Sequence, residues 1–393
     1  MIYLDHSATT AVDARVVEAM APYWSEAYGN PSSIYSLGRR AAAALEDARR
    51  RIAAILNCTP NEVVFTSCGS ESNNLALRGV GLVQADKGKR HIITSPIEHH
   101  AVLHTAEDLA EHFDFEVTLV PVDRHGLVDP AAVEAAIRPD TALISIMLAN
   151  NEVGTVEPVS EIGAIARRHG IPFHTDAVQA GGHLPLNVDE LDVDLLSLSA
   201  HKFYGPKGVG ILYIRRGTRV RPVQTGGGQE RGRRSGTENV PYIVGMARAL
   251  EIAQQDRQAE GARLAALRDQ LASGLVARIP DVVISGHPDR RLPGHLSLIV
   301  GGVEAEGMLI ALDLAGVAAS SGSACATGSP TPSHVLTAMG YGTQEAMGAL
   351  RLSLGRENAG EEIAYLLDTL PGIVSRMRAS IPGLSDQTVQ GKP

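Results

Sequence analysis

Thiols are scarce in this chain: 393 residues contain three cysteines, Cys58, Cys68 and Cys325, too few and too scattered for a disulfide framework or a closed zinc site. No run of about 18 apolar residues occurs, so no bilayer-spanning helix is expected. The opening Met-Ile-Tyr-Leu-Asp-His lacks a basic segment followed by an apolar one, so no secretory signal is expected either. Together these absences point to a reduced, cytoplasmic protein. Positive charge is not in excess. The formal net charge of −9 argues against nucleic acid or an acidic membrane as the main partner. Internal repeats and low-complexity segments are absent. Lysine is rare as well, with Lys87, Lys89, Lys202, Lys207 and Lys392 the whole set.

What remains is the composition of an ordinary globular protein, 44% apolar and 20% charged, and its length exceeds the usual size of one core, so two domains are expected. Ala-rich amphipathic runs at 15–27 and 36–57 read as helices, separated by the breaker Gly29-Asn30-Pro31. Strand and helix patterns then alternate: a strand at Val63–Thr66, strands at 91–95, 115–120, 142–147, 171–175 and 193–198, and helices at 98–112, 130–137 and 159–169. That alternation predicts a mostly parallel sheet covered on both faces. A long Ala/Arg-rich helix over 240–279 leads into a second unit. Strands there are expected at 282–285, 295–300 and 349–354, helices at 304–315, 333–339 and 359–379, and a small-residue loop at 319–332. Residues 1–14 are short and partly polar, with Asp5–Thr10 reading as a loop, and 382–393 read as a frayed tail.

The chemistry gathers where strands end, because open α/β sheets bind ligands outside the carboxyl ends of their strands. Leu195-Leu196-Ser197-Leu198 runs into Ser199-Ala200-His201-Lys202 and a Gly/Pro-rich turn. Of the five lysines only Lys202 sits where an apolar strand stops, and desolvation there would turn its amine into a nucleophile. Asp176 ends another apolar strand. It either caps the next helix or pairs with a buried cation such as a pyridinium nitrogen. Ser67–Asn74, rich in small residues, precedes a helix; its backbone N–H groups and Ser70 hydroxyl would hold a phosphate, or simply cap the helix. His99 and His100 follow a strand and suit either stacking on a flat ring or proton transfer. Asn150, Asn151 and Glu152 offer polar groups at a further strand end. Gly226–Thr237 is a glycine-rich basic loop, apt for an anion or simply solvated. Cys325 lies in Ser320-Ser321-Gly322-Ser323-Ala324-Cys325-Ala326-Thr327-Gly328, a run of small, mostly polar residues that offers nothing to pack against, and an exposed thiol on such a loop is a liability unless it is used. Arginines at 215, 216, 219, 221, 231, 233 and 234 form either an acidic-partner surface or a solvated face.

Taken together, His201-Lys202 with Tyr204-Gly205-Pro206-Lys207-Gly208, and Ser321-Gly322-Ser323-Ala324-Cys325, resemble the two most diagnostic motifs of the cysteine desulfurases. These form the nitrogen-fixation and housekeeping iron–sulfur assembly branch of the class V aminotransferases. The resemblance runs from Tyr3-Leu4-Asp5 to Leu350–Arg356. It implies a pyridoxal-phosphate-dependent transferase fold of type I. The expected fold is α/β, with a mostly parallel seven-stranded sheet in a large domain (15–255). A smaller α+β domain (1–14 and 256–380) would carry the cysteine loop, followed by a flexible tail (381–393). It implies that Lys202 binds pyridoxal 5′-phosphate covalently, that Asp176 pairs with the ring nitrogen and Gln179 with the phenolic oxygen, and that His99 stacks on the ring as acid/base. Gly69, Ser70, Ser199, His201 and Thr237 would bind the phosphate, Thr237 from the partner subunit of a homodimer. Asn151 would lie beside cofactor and substrate, and Asn30 and Arg351 would grip the substrate carboxylate. Cys325 would take sulfur from L-cysteine as a persulfide and hand it to an iron–sulfur scaffold or another acceptor. It would touch a cluster only transiently, and no metal site is implied. Departures from the family pattern are small: Cys68-Gly69 for Gly-Ala, Ser70 for Thr, Ala200 for Gly. None removes a chemical group. The rival readings are a selenocysteine lyase, another class V aminotransferase, or a non-catalytic scaffold.

Overall fold

The computed structural model describes residues 1–322 and 332–380. Its strands are β1 (Ile2–Tyr3), β2 (Val63–Thr66), β3 (His91–Thr94), β4 (Glu116–Leu119), β5 (Thr141–Ser145), β6 (Phe173–Asp176), β7 (Leu195–Ser199), β8 (Gly210–Ile214), β9 (Val282–Ser285), β10 (His295–Val300), β11 (Val317–Ala318) and β12 (Ala349–Ser353). The helices are α1 (Ala14–Met20), α2 (Pro22–Ser25), α3 (Ser36–Leu56), α4 (Gly69–Ala85), α5 (His100–Phe113), α6 (Pro130–Ala135), α7 (Val159–His169), α8 (Val240–Arg278), α9 (Ala305–Leu314), α10 (His334–Ala338), α11 (Thr343–Ala346) and α12 (Gly360–Ala379).

Seven strands form the central sheet in the order β2-β8-β7-β6-β5-β3-β4, and only β8 runs against the rest. The expected mostly parallel seven-stranded sheet is what the chain forms. Strands β2, β3 and β5–β8 are buried throughout, as a sheet covered on both faces requires, whereas the edge strand β4 is partly exposed. Helix α7 shows how the local code works. Val159, Ile162, Ile165 and Ala166 recur at helical spacing and are buried, Arg167, Arg168 and His169 complement the carboxyl end of the dipole, and Gly170 closes it at φ 62°.

Three differences from the sequence-based expectations have physical causes. The helix expected at 15–27 is two, because Pro22 has no N–H to continue α1 and instead starts α2. Strand β8, which was not expected, comes after a turn through Pro206 and Gly208 (φ 84°) too short for a crossover, so it folds back antiparallel onto β7. Ile2–Tyr3, where no strand was expected, is one because it pairs in parallel with β11, more than 300 residues on.

One apolar core lies between the sheet and α1, α3, α7 and the first half of α8, and another lies under α4 and α5 on the opposite face. A third forms around the antiparallel sheet β12-β10-β9 with α9, α12 and the second half of α8. The 39-residue α8 therefore belongs to two cores at once, with Met246 and Leu250 in the first and Leu271 and Leu275 in the other. Residues 4–7 return to β12: Ser353 N–H donates to Leu4 O at 2.7 Å and Ser7 N–H donates to Ser353 Oγ at 2.9 Å.

Two buried histidines set an acid limit on this fold. His174 on β6 bonds Ser145 Oγ and Ser197 Oγ, and His295 on β10 bonds Ser7 Oγ and the Glu152 carbonyl; burial pushes both rings down to about 3. Their folded values lie below the unfolded value, so the unfolded chain binds the extra protons. Their stabilisation is complete above about pH 6.5 and is lost as the pH falls toward 3. Each should cost about 1.4 kcal/mol per pH unit in that window. Urea unfolding at pH 7 and pH 5 should show a clear drop in stability, and equal stability at the two values would refute this account.

Candidate active site

A cavity of about 300 Å³ opens at the carboxyl ends of the parallel strands. Lys202, in the turn after β7, lines it, and its Nζ donates to the carbonyls of Ser7 (2.5 Å) and Ala8 (2.8 Å). Asp176 closes β6 on the adjacent strand. Its carboxylate accepts from Asn73 Nδ2 at 2.6 Å and from the Val178 N–H at 3.0 Å, so it fastens the turn after its own strand. The next element is β7, so there is no helix for it to cap. Asn73 Oδ1 is buried with no partner among the described residues. Gln179 lines the same wall and donates to Ser7 O at 2.9 Å.

Gly69 and Ser70 open α4, so the helix presents its first backbone N–H groups and its positive end to the cavity. Glycine at 69 lets the helix start approach the turn after β6 closely: a Cβ there would come within 2.7 Å of Val178 Cγ2, and that side chain would have to shift. Ser199 and His201 complete this corner. His201 Nδ1 lies 3.2 Å from Thr9 Oγ1, and burial, helped by the Lys202 and Lys207 charges, pushes its ring down to about 4, so it is neutral at pH 7.

His99 caps α5 by accepting the Ala101 N–H on Nδ1 at 3.0 Å. That bond places the proton of the neutral ring on Nε2, and burial favours the neutral form. The turn holding His99 is anchored from behind by Glu98, whose Oε1 accepts from Ser95 Oγ (2.7 Å) and Met147 N–H (2.9 Å). Complete burial raises the Glu98 carboxyl to about 8, so it is mostly protonated at neutral pH. Asn151, Glu152, His334 and Arg351 form the remaining wall. Arg351 Nη1 donates to the carbonyls of Asn151 (2.8 Å) and Gly322 (2.7 Å), and Glu152 accepts from Ser333 Oγ at 2.5 Å.

Lys202, Asp176, His99, Gly69, Ser70, Gln179, Asn151, Ser199, His201 and Arg351 thus share one cavity. Two expected residues do not line it. Asn30 is exposed and accepts from the Ser32 N–H in the turn before α3, and Thr237 is exposed on the glycine-rich loop. Cys325 lies outside the described residues. Participants that sequence reasoning did not single out are the Ser7 and Ala8 carbonyls, the Asn73 amide and His334. The first two are backbone groups in a segment with no motif, and the last two became legible only when the fold placed them.

The family profile described as Aminotransferase class-V matches residues 2–366. The chain belongs to the class V aminotransferase family. Among curated members it is 51% identical over 381 residues to "Cysteine desulfurase IscS" of Methanosarcina thermophila, covering 97% of this chain and 94% of the relative. It is 50% identical to the protein of the same name from Dictyoglomus turgidum, covering 97% and 96%. Among solved structures, a "NIFS-LIKE PROTEIN" superposes with a TM-score of 0.89 at 42% identity, covering 95% of this chain and 99% of that one. A protein described as "SspA in complex with cysteine" superposes with a TM-score of 0.79 at 39% identity, covering 90% and 99%. Members of this class V branch depend on pyridoxal phosphate, so the chain is a pyridoxal-phosphate enzyme.

Proposed function

We propose that this chain is a cysteine desulfurase, taking sulfur from L-cysteine, releasing L-alanine and passing the sulfur on from a Cys325 persulfide. One observation carries the reading: Asp176 at the end of β6 and Lys202 in the turn after the adjacent β7 face a single cavity together with His99 and Arg351. The names of relatives about half identical over nearly the whole chain support it.

The residues present fit pyridoxal phosphate. The α4 N-terminus with Ser70, Ser199 and His201 suits a dianionic phosphate, Gly69 leaves room for close approach, and Asp176 supplies a buried carboxylate for a pyridinium nitrogen. Gln179 would meet the phenolic oxygen. When bound, the cofactor supplies a covalent electron sink that lets the substrate α-proton leave. Lys202 provides the amine that holds it and then carries that proton. His99 presents its Nε2–H to the cavity and would lie over the ring. Arg351 and Asn151 orient the substrate carboxylate, and charge-assisted bonds of this kind fix both position and angle.

Cys325 would attack the substrate sulfur as a thiolate: the S–S bond forms as the C–S bond breaks, its electron pair stays with carbon, and that carbon takes a proton before alanine is released. Gly322, bonded to Arg351 at the pocket wall, is three residues away in sequence, a span of at most about 11 Å for extended chain. That short distance along the chain supports a role for the thiol at the cavity. A plain transaminase has no use for it.

The working form would be a cytoplasmic homodimer, Thr237 and the Asn30 turn being exposed for a role at the partner's cavity or its edge. The acceptor would be an iron–sulfur scaffold or another sulfur carrier. The large unit would span 15–255 and the small unit 1–14 with 256–380. No described helix is long and apolar enough to cross a membrane.

The test is Cys325→Ala. The variant should keep the visible absorbance of the bound vitamin and release no sulfide from L-cysteine; undiminished alanine and sulfide production would sink the persulfide step.

A further inference from the structure

Arg351 is 2% exposed, and its guanidinium is more constrained than a substrate-gripping role alone requires. Both Nη1 protons go to carbonyls, those of Asn151 and Gly322. Nη2 donates to Asp5 Oδ1 at 2.8 Å, an ion pair between residues 346 positions apart in sequence. Nε is buried and has no acceptor among the described residues. Asp5 is itself held firmly. It bridges Ser353 on β12 in parallel, its carbonyl accepts from Tyr3 Oη at 3.0 Å, and the residues on either side bond the same strand. A buried guanidinium would otherwise be an uncompensated charge able to rotate about its last torsions.

On a guanidinium, Nε–H and the neighbouring Nη2–H point the same way and match the two oxygens of a carboxylate. We infer that Asp5 is a positioning residue for the substrate carboxylate: by binding Nη2 it fixes the Arg351 plane, while Nε–H is left without a protein acceptor among the described residues for the ligand to use. The inference rests on the proposed role of Arg351 and adds a second residue to it. Asp5 does not touch the substrate. The Arg351–Asp5 pair carries no net charge before the ligand arrives, so the site takes up a carboxylate by geometry more than by net charge. In the sequence Asp5 stands out only as the end of a short motif leading into a loop.

The experiment titrates the pyridoxal-phosphate-loaded enzyme with L-alanine and with ethylamine, the same amine without its carboxylate, following the visible spectrum. Wild type, Asp5→Ala, Asp5→Asn and Arg351→Ala are compared, each checked by thermal melting. Asp5→Ala should weaken L-alanine about tenfold while leaving ethylamine within about twofold, a loss confined to the carboxylate contact. With L-cysteine as substrate, KM should rise by a similar factor and kcat should change little. Asp5→Asn keeps an oxygen on Nη2 and should recover most of the loss. The inference fails if both amines weaken equally, which marks a structural role. It also fails if the asparagine variant is no better than alanine, or if Asp5→Ala binds L-alanine more tightly, which would make Asp5 a competitor for the arginine. Arg351→Ala separates the two layers. If it abolishes the preference for L-alanine over ethylamine while Asp5→Ala does not change it, only the Asp5 role falls; if it leaves the preference intact, the carboxylate assignment falls and the Asp5 role with it.

Discussion

Lys202→Ala should give a folded, colourless protein that releases no sulfide from L-cysteine, with activity reduced by several orders of magnitude, on the order of 10⁴ or more. On the proposed reading two functions are lost with one amine: the covalent hold on the cofactor and the base that carries the α-proton. Folding should survive. The side chain is only half-buried, its Nζ donates to the Ser7 and Ala8 carbonyls at the cavity edge, and the residue is not a member of the apolar core clusters. The N-terminal segment keeps other ties to this region, through Thr10 Oγ1 to His201 O and through Gln179 to Ser7 O. Absorbance spectroscopy after incubation with pyridoxal phosphate, beside a far-UV spectrum, checks both halves of the expectation. A variant that still binds the vitamin covalently and desulfurates would remove the foundation of the proposed function.

Arg49→Met should destabilise the chain by about 3–5 kcal/mol, the largest stability effect expected of any single exchange considered for this protein. Arg49 on α3 and Glu230 on the glycine-rich loop have side chains only 3% and 2% exposed, and they meet in a two-pronged contact at 2.8 and 2.9 Å. Arg49 also donates to Val63 O and lies 4.7 Å from the Phe65 ring, while Glu230 accepts the Phe65 N–H. Removing the cation leaves a carboxylate buried without its partner, and that uncompensated charge dominates the cost. The loop is strained where it is pinned, since Glu230 and Arg231 both adopt left-handed backbone at φ 47° and 58°. The same loop carries Thr237, so the variant should also lose cofactor affinity if Thr237 serves the partner's phosphate site. Adding Glu230→Gln to Arg49→Met should restore part of the stability by removing the stranded charge. Urea unfolding of the single and double variants decides it; an Arg49→Met protein as stable as the parent would show that the pair contributes nothing net.

Much of the site is legible in the order of residues alone, and for a consistent reason. Lys202, Asp176, His99 and Ser70 each sit where an apolar strand gives way to small or polar residues. In a parallel sheet all such points fall at one edge, so the topology gathers them without further instruction. The glycine at 69 and the turn at 203–209 belong to the same local code. Residue order is silent where two distant segments decide a residue's state. The pairing of Ile2–Tyr3 with Val317–Ala318 has no local pattern, nor does the grip of Asp5 on Arg351 across 346 positions. The arginines at 231, 233 and 234 illustrate the same limit. They are legible as a basic run, yet Arg234 pairs with Glu71 and Arg233 bonds Asn61 O, so part of the run is committed to holding the loop.

By itself the sequence determined the alternating strand–helix order, the strand ends that line the cavity, and the motifs around Lys202 and Cys325 that resemble those of the family. These are properties of residue type and short-range spacing, which hydrophobic periodicity and turn chemistry express directly. Tertiary structure alone decided which N–H groups of Arg351 are taken, which tautomer His99 adopts, which buried carboxyl stays protonated and which charge holds the glycine-rich loop. Those states depend on burial and on partners far away along the chain. Desolvation and ion pairing act through space, and no window of sequence contains both members of the pair.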